Sequence, residues 1–198
     1  MGSPHGERLL DVENSVLCVV DVQPGFLGKI DENQGRGPFV QRVAWVAALA
    51  HALGVPTVVT EEAPDRNGPT APEVLERLPD ATIRHPKPTF GLADVPEILA
   101  ALEATRRHTV VIVGMETDVC VCHSALGLLD RGYRVVVVRD AVLAPGAAHD
   151  DGIERMRAAG VTVIGAKGLF YEWARTVEAA ELLDDRMASV PVPDGLIL

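Results

Sequence analysis

Cysteine is scarce in this sequence: Cys18, Cys120 and Cys122 are the three among 198 residues. A sparse, odd count builds no disulfide framework. It fits a reducing cytoplasm, where a thiol stays free to react. Aromatic residues make up 4 % of the chain, so the core must be aliphatic. Basic residues are outnumbered, 18 against 28 acidic ones, for a net charge of −10. That balance repels a phosphate backbone and removes nucleic acid from the expected partners. Long apolar runs are missing too. None approaches the roughly 18 residues needed to span a bilayer, and the opening MGSPHGERLLDVENS lacks the cationic start and apolar stretch of a signal peptide. No membrane is expected as a partner, and a cytoplasmic location is. Glycine-rich phosphate loops are also absent. The segment after the first strand, Asp21-Val22-Gln23-Pro24-Gly25-Phe26, fits neither the dinucleotide fingerprint nor the P-loop, which argues against a dehydrogenase or nucleotidase.

What the sequence does have is a series of short Val/Ile runs separated by amphipathic stretches. The runs begin with Ser15–Asp21 and continue with segments ending at Thr60, His85, Gly114, Asp140 and Ala166. Continuous apolar runs predict strands buried on both faces. Between them, Phe39, Val43, Val46, Ala50 and Leu53 share one helical face, with Pro38 to open that helix and Gly54 to close it. Asp94 and Glu97 read as a capping-box variant before Ile98, Leu99 and Leu102. Val119, Cys122, Leu126 and Leu129 form a further stripe, capped by Thr117 or Asp118 and stopped by Gly132, and another helix runs from about 147 to 159. This alternation predicts an α/β protein, a three-layer αβα, Rossmann-like fold with a mostly parallel six-stranded sheet. We divide the chain into an N-terminal extension (1–14), one domain (15–184) and an extended, Pro-rich tail (185–198).

Ligands of such sheets bind beyond the carboxyl ends of the strands, and three reactive side chains fall there. Asp21 ends the first strand, Lys87 follows the third between two prolines, and Cys120 follows the fourth. In the first turn of a helix, Cys120 would feel unpaired N–H groups and the positive dipole end, which favour a thiolate and can hold an oxyanion. A Lys87 ammonium nearby would lower the thiol pKa further, and the charge of Asp21 would oppose it. Each residue also has a plain reading, as a buried apolar cysteine, a loop-capping aspartate and a surface lysine. His123 offers a local Cys–His alternative. Cys18 and Cys122 fall on core positions. Glu61, Glu62 and Asp65 supply oxygens but the stretch Thr60–Thr70 has no histidine, so no metal or other cofactor is expected.

Taken together, Val19–Phe26, Lys87 with Phe90, Gly114–Val121 and Asp140-Ala141 resemble, in order and spacing, the signatures of the isochorismatase-like cysteine hydrolases. The resemblance covers about residues 15 to 170. It implies a Rossmann-like αβα fold and a triad in which Asp21 is the base, Lys87 the electrostatic partner and Cys120 the nucleophile. It further implies an oxyanion hole from the N–H groups of Glu116 and Cys120, and a non-proline cis peptide at Met115–Glu116. Phe26, Phe90 and Met115 are expected to line the substrate pocket. The nicotinamidases of the family carry an Asp and two His after strand two that this chain lacks, so it resembles a non-nicotinamidase subgroup. The implied activity is hydrolysis of a small amide, ureido or related C–N substrate through a Cys120 thioester. The alternatives are vinyl-ether hydrolysis of isochorismate type with Asp21 as acid, and a catalytically idle binding subunit. The resemblance and the apolar end Leu196-Ile197-Leu198 also suggest a homo-oligomer.

Overall fold

The structure is a computed structural model that describes residues 8–198; of the N-terminal extension, residues 1–7 lie outside them. Six strands form one sheet: β1 (Ser15–Val20), β2 (Thr57–Glu62), β3 (Arg84–Lys87), β4 (Thr109–Met115), β5 (Arg134–Leu143) and β6 (Thr162–Ile164). Their spatial order is β3-β2-β1-β4-β5-β6, and every pairing is parallel. Every residue of β1 and β4 is buried, as continuous Val/Ile runs require.

Among the described residues, nine α-helices surround the sheet. Four precede or flank β2: α1 (Pro24–Leu27), α2 (Arg36–Ala52), α3 (Pro64–Asn67) and α4 (Pro72–Leu75). The others are α5 (Pro96–Ala104), α6 (Cys122–Leu129), α7 (Ala148–Ala158), α8 (Ala166–Ala174) and α9 (Val177–Arg186). Alternate strand residues divide between two aliphatic cores. Leu17 and Val19 pack with α2 and α8 on one face, while Val16, Cys18 and Val20 pack with α5, α6 and α7 on the other. This is the expected three-layer αβα architecture.

Local punctuation explains most boundaries and several departures. Helix α2 ends as read. Gly54 adopts φ 67°, and the N–H groups of Gly54 and Val55 return to the carbonyls of His51 and Ala50, a Schellman closure. It starts two residues earlier than Pro38, which is tolerated inside a first turn. Asp94 does not cap α5. Pro96 takes the first helical position, which makes Val95 the cap and leaves Asp94 in a 3₁₀ turn. Neither Thr117 nor Asp118 caps α6, because a π-helical turn, Thr117–Val121, stands in front of it. Lys87 is the last residue of β3 and not part of the following loop; Pro86 is accommodated because β3 is an edge strand. Helices α8 and α9 have no counterpart among the expected elements, and α9 crosses the expected boundary at 184. The tail is docked: Met187 and Leu196 are buried in the α2/α8 core.

One glycine decides how β1 and β4 can meet. Gly114 has φ 123°, and a Cβ there would sit 2.0 Å from the carbonyl oxygen of Val20. Only glycine permits this approach, and β4 runs one residue further before the turn that carries Cys120.

Candidate active site

The strand order reverses between β1 and β4, and the four strands β3-β2-β1-β4 each deliver one reactive side chain at the carboxyl edge. Lys87 ends β3, Glu62 ends β2, Asp21 follows β1 and Cys120 lies in the π turn after β4. Asp21 sits at φ 49°, which turns its carboxyl group inward. Its Oδ1 accepts a 2.7 Å hydrogen bond from the Thr60 hydroxyl, and its Oδ2 lies 2.9 Å from Lys87 Nζ. Both side chains of this ion pair are fully buried. The ammonium donates its other hydrogens to the carbonyls of Thr89 (2.6 Å) and Phe90 (2.8 Å). The prolines at 86 and 88 thus bracket a lysine whose loop folds back to receive it.

Glu62 is the residue that the sequence reading passed over. The thiol of Cys120 donates to its Oε2 at 3.1 Å, and the same oxygen lies 3.8 Å from Lys87 Nζ. Its main chain is held from two sides. The Gln23 amide bonds both the Glu62 N–H (2.8 Å) and its carbonyl (3.1 Å), and Asn67 Nδ2 donates to that carbonyl at 2.9 Å. Glu61 points elsewhere: its Oε1 accepts from the N–H and hydroxyl of Thr70, each at 2.8 Å.

Electrostatics here differ from the expected low thiol pKa. Burial, and then the charge of Asp21, push the Cys120 thiol well above its ordinary value, against the opposing pull of Lys87. A helix dipole does not rescue it, since the turn that holds Cys120 is π-helical and five residues long. Burial also raises the Asp21 carboxyl, an effect only partly offset by Lys87 and Thr60. Burial thus favours the neutral thiol at Cys120, which has the carboxyl groups of Asp21 and Glu62 for neighbours. Complete burial pushes the Cys18 thiol up to about 12 as well, and Cys122 lies in the α6 core.

The remaining expected residues are spread around this centre. The peptide Met115–Glu116 is cis. Glu116 caps the π turn, its carbonyl accepting from the N–H groups of Val119 and Val121. Its side chain pairs with Lys29 at 3.2 Å, and Lys29 in turn lies 4.7 Å above the Phe26 ring. Phe26 and Met115 are core residues, whereas Phe90 is 54 % exposed and stacks edge-on against His123. His123 is thereby directed at Phe90 and not at the thiol. Asp21, Glu62 and Cys120 could each offer one ligand atom to a common ion, within 4.8 Å of one another. The ammonium 2.9 Å from Asp21 already fills the cationic role there and repels a second cation.

A parallel αβα sheet thus gathers a thiol, two carboxylates and a buried ammonium at its switch point. The family follows from comparison: the Isochorismatase domain profile matches residues 15–168, and the chain belongs to that family. A relative in Phytophthora sojae (strain P6497), the secreted isochorismatase effector Isc1, is 33 % identical over 167 residues, 81 % of this chain and 77 % of the relative. The crystal structure of YcaC from Escherichia coli, described as an octameric hydrolase of unknown specificity, superposes with a TM-score of 0.80 at 27 % identity, covering 91 % of each chain. The MAR1 ribonuclease from Caenorhabditis elegans gives a TM-score of 0.83 at 25 % identity over 96 % of this chain and 98 % of that one.

Proposed function

We propose that this chain is a cysteine hydrolase that cleaves a small amide, ureido or related C–N substrate through an acyl thioester on Cys120. One observation carries the proposal: the Cys120 thiol donates to a carboxylate at 3.1 Å, next to a buried Asp21–Lys87 pair at 2.9 Å. A thiol with a raised pKa attacks only as its proton leaves, and an adjacent carboxylate receives that proton as the C–S bond forms. The N–H groups of Glu116 and Cys120 then stabilise the oxyanion, and Phe90 is the one of the three expected pocket residues whose side chain is exposed to a substrate, Phe26 and Met115 being buried in the core. Collapse expels the amine, and water releases the acid. No metal or other cofactor enters these steps.

Charge favours this substrate class over its rivals. Asp21, Glu62 and Glu116 stand around the thiol against Lys87 and Lys29. A vinyl-ether dicarboxylate of isochorismate type would add two negative charges to that set, and so would the phosphates of a nucleic acid meet a chain of net charge −10. We place the chain in the cytoplasm, where its three free thiols persist, and we expect it to self-associate. Among the described residues no helix is long and apolar enough to cross a membrane.

The test is a screen of small amides, carbamoyl compounds and vinyl ethers with wild type, Cys120→Ala and Cys122→Ser. Turnover of a C–N substrate should vanish in Cys120→Ala and largely survive in Cys122→Ser. Equal loss in both variants, or vinyl-ether activity that persists without Cys120, would overturn the proposal.

A further inference from the structure

Of the three acids around the Cys120 thiol, two have a cation of their own. Asp21 pairs with Lys87 at 2.9 Å, and Glu116 pairs with Lys29 at 3.2 Å. Glu62 lies 3.8 Å from Lys87, whose ammonium already serves Asp21 and the carbonyls of Thr89 and Phe90. Among the described residues its carboxylate takes one hydrogen bond, from the Cys120 thiol at 3.1 Å. Asp21 is the base that the family resemblance implies, and its Oδ2, which takes no hydrogen bond among the described residues, can receive the thiol proton. Once that proton moves to Asp21, Glu62 has no donor left. A largely enclosed acceptor without a donor is costly, so a substrate that brings one is preferred.

Exposure decides what can reach it. The Lys87 side chain is fully buried, while 18 % of the Glu62 side chain is open to solvent. An entering molecule therefore meets the carboxylate and not the ammonium. The carboxylate is also held in place from behind. Gln23 bonds both the N–H and the carbonyl of Glu62, Asn67 bonds the same carbonyl, and the next residue, Ala63, is turned to φ 39° with its N–H on the Lys87 carbonyl at 3.4 Å. Such support gives a fixed acceptor at the rim of the nucleophile. Resting on the cysteine-hydrolase reading, we propose that Glu62 is the specificity-determining residue of this site. Its carboxylate accepts a hydrogen bond from a substrate nitrogen close to the carbonyl that Cys120 attacks. It thereby selects amino-, ureido- or guanidino-bearing acyl compounds and rejects those that carry a carboxylate at that place. Glu62 transfers no proton in this role, which leaves that step to Asp21.

The experiment uses the full-length protein in wild-type, Glu62→Gln, Glu62→Asp and Glu61→Gln forms. The probes are three methanethiosulfonates of similar size: aminoethyl (cationic), hydroxyethyl (neutral) and sulfonatoethyl (anionic). Each transfers its thioalkyl group to a thiolate and releases methanesulfinate, and the modified Cys120 peptide is followed by mass spectrometry. The ratio of the cationic to the anionic rate is read within each form at one pH. Any change in the amount of thiolate multiplies both rates and cancels, and so does a loosened fold. The ratio should drop about 10-fold in Glu62→Gln, the scale of one hydrogen bond to a charged group. Glu62→Asp should keep most of the preference. Glu61 is turned to Thr70, so Glu61→Gln should match the wild type. An unchanged ratio in Glu62→Gln, or an equal drop in Glu61→Gln, overturns the proposal. The hydrolase reading fails separately, by absence of C–N turnover in the amide screen, and the substrate role of Glu62 then falls with it whatever the ratio.

Discussion

Lys87 carries a charge with no access to solvent, and that fixes what its loss must do. Its ammonium serves Asp21 and the carbonyls of Thr89 and Phe90 together. Lys87→Met leaves the buried Asp21 carboxylate with the Thr60 hydroxyl alone and unties the Thr89–Phe90 loop. Removing one partner of a buried pair costs about 3–5 kcal/mol. The urea midpoint should fall accordingly, and acetylation of Cys120 should fall with it. An unchanged midpoint would show that the pair adds nothing to the fold. Asp21, Lys87 and Cys120 were legible in the sequence because polar residues at the ends of apolar strands are conspicuous. Glu62 was not, because it stands next to Glu61 and the two point in opposite directions along β2. Which of two adjacent acids faces a site depends on register, here Val20 opposite Thr60. A single strand does not reveal that. The one available signal was the position of Glu62 at the very end of the second strand, two residues beyond the Thr60 that pairs with Val20.

The π turn after β4 is the element that carries Cys120, and α7 packs directly against it. Gly152 in α7 makes the contact possible: a Cβ there would lie 2.8 Å from the backbone N and Cα of Asp118 and 2.9 Å from the Thr117 carbonyl carbon. His149, one turn earlier, bonds the Thr117 hydroxyl through Nδ1 at 3.1 Å. Gly152→Ala should therefore push α7 off the turn at an overpacking cost of about 1–3 kcal/mol. Iodoacetamide labelling and acetylation of Cys120 should change at temperatures where the variant is still fully folded by circular dichroism. A lower melting point with unaltered Cys120 chemistry would mean the turn holds its shape without α7. The sequence placed the strands and most helices correctly, since continuous apolar runs and terminal glycines are local signals. The π turn escaped because its sequence, Thr117-Asp118-Val119-Cys120-Val121, also satisfies an ordinary helix start. Helix α9 escaped for a different reason: Val177 and Leu182 face solvent and Leu183 alone is buried, so its apolar period is weak. Helix α8 was readable, since Ala166, Leu169, Phe170 and Trp173 recur at helical spacing.

For the molecule as a whole, those exposed residues have a further meaning. Tyr171, Val177, Leu182, Val192 and Ile197 lie exposed on α8, α9 and the tail, and apolar side chains gathered on one region favour contact with another copy. Light scattering should give particles well above the 21.1 kDa of one chain, and Val177→Asp with Ile197→Asp should reduce them. Particles of single-chain mass in the wild type would show the surface to be unoccupied. The pairing of β1 with β4 joins Ser15 to Thr109 and Val20 to Gly114, strands separated by most of the first half of the chain. Asp21, Glu62 and Lys87 belong to that first half, and Cys120 to the second. On a ribosome these three side chains emerge first, and the Cys120 sulfur appears later with no carboxylate beside it. It gains one only when β4 slides in next to β1 and Gly114 closes on Val20. Until then Cys120 is a thiol with neither Asp21 nor Glu62 beside it, and the grouping of sulfur, carboxylates and ammonium exists only in the completed sheet.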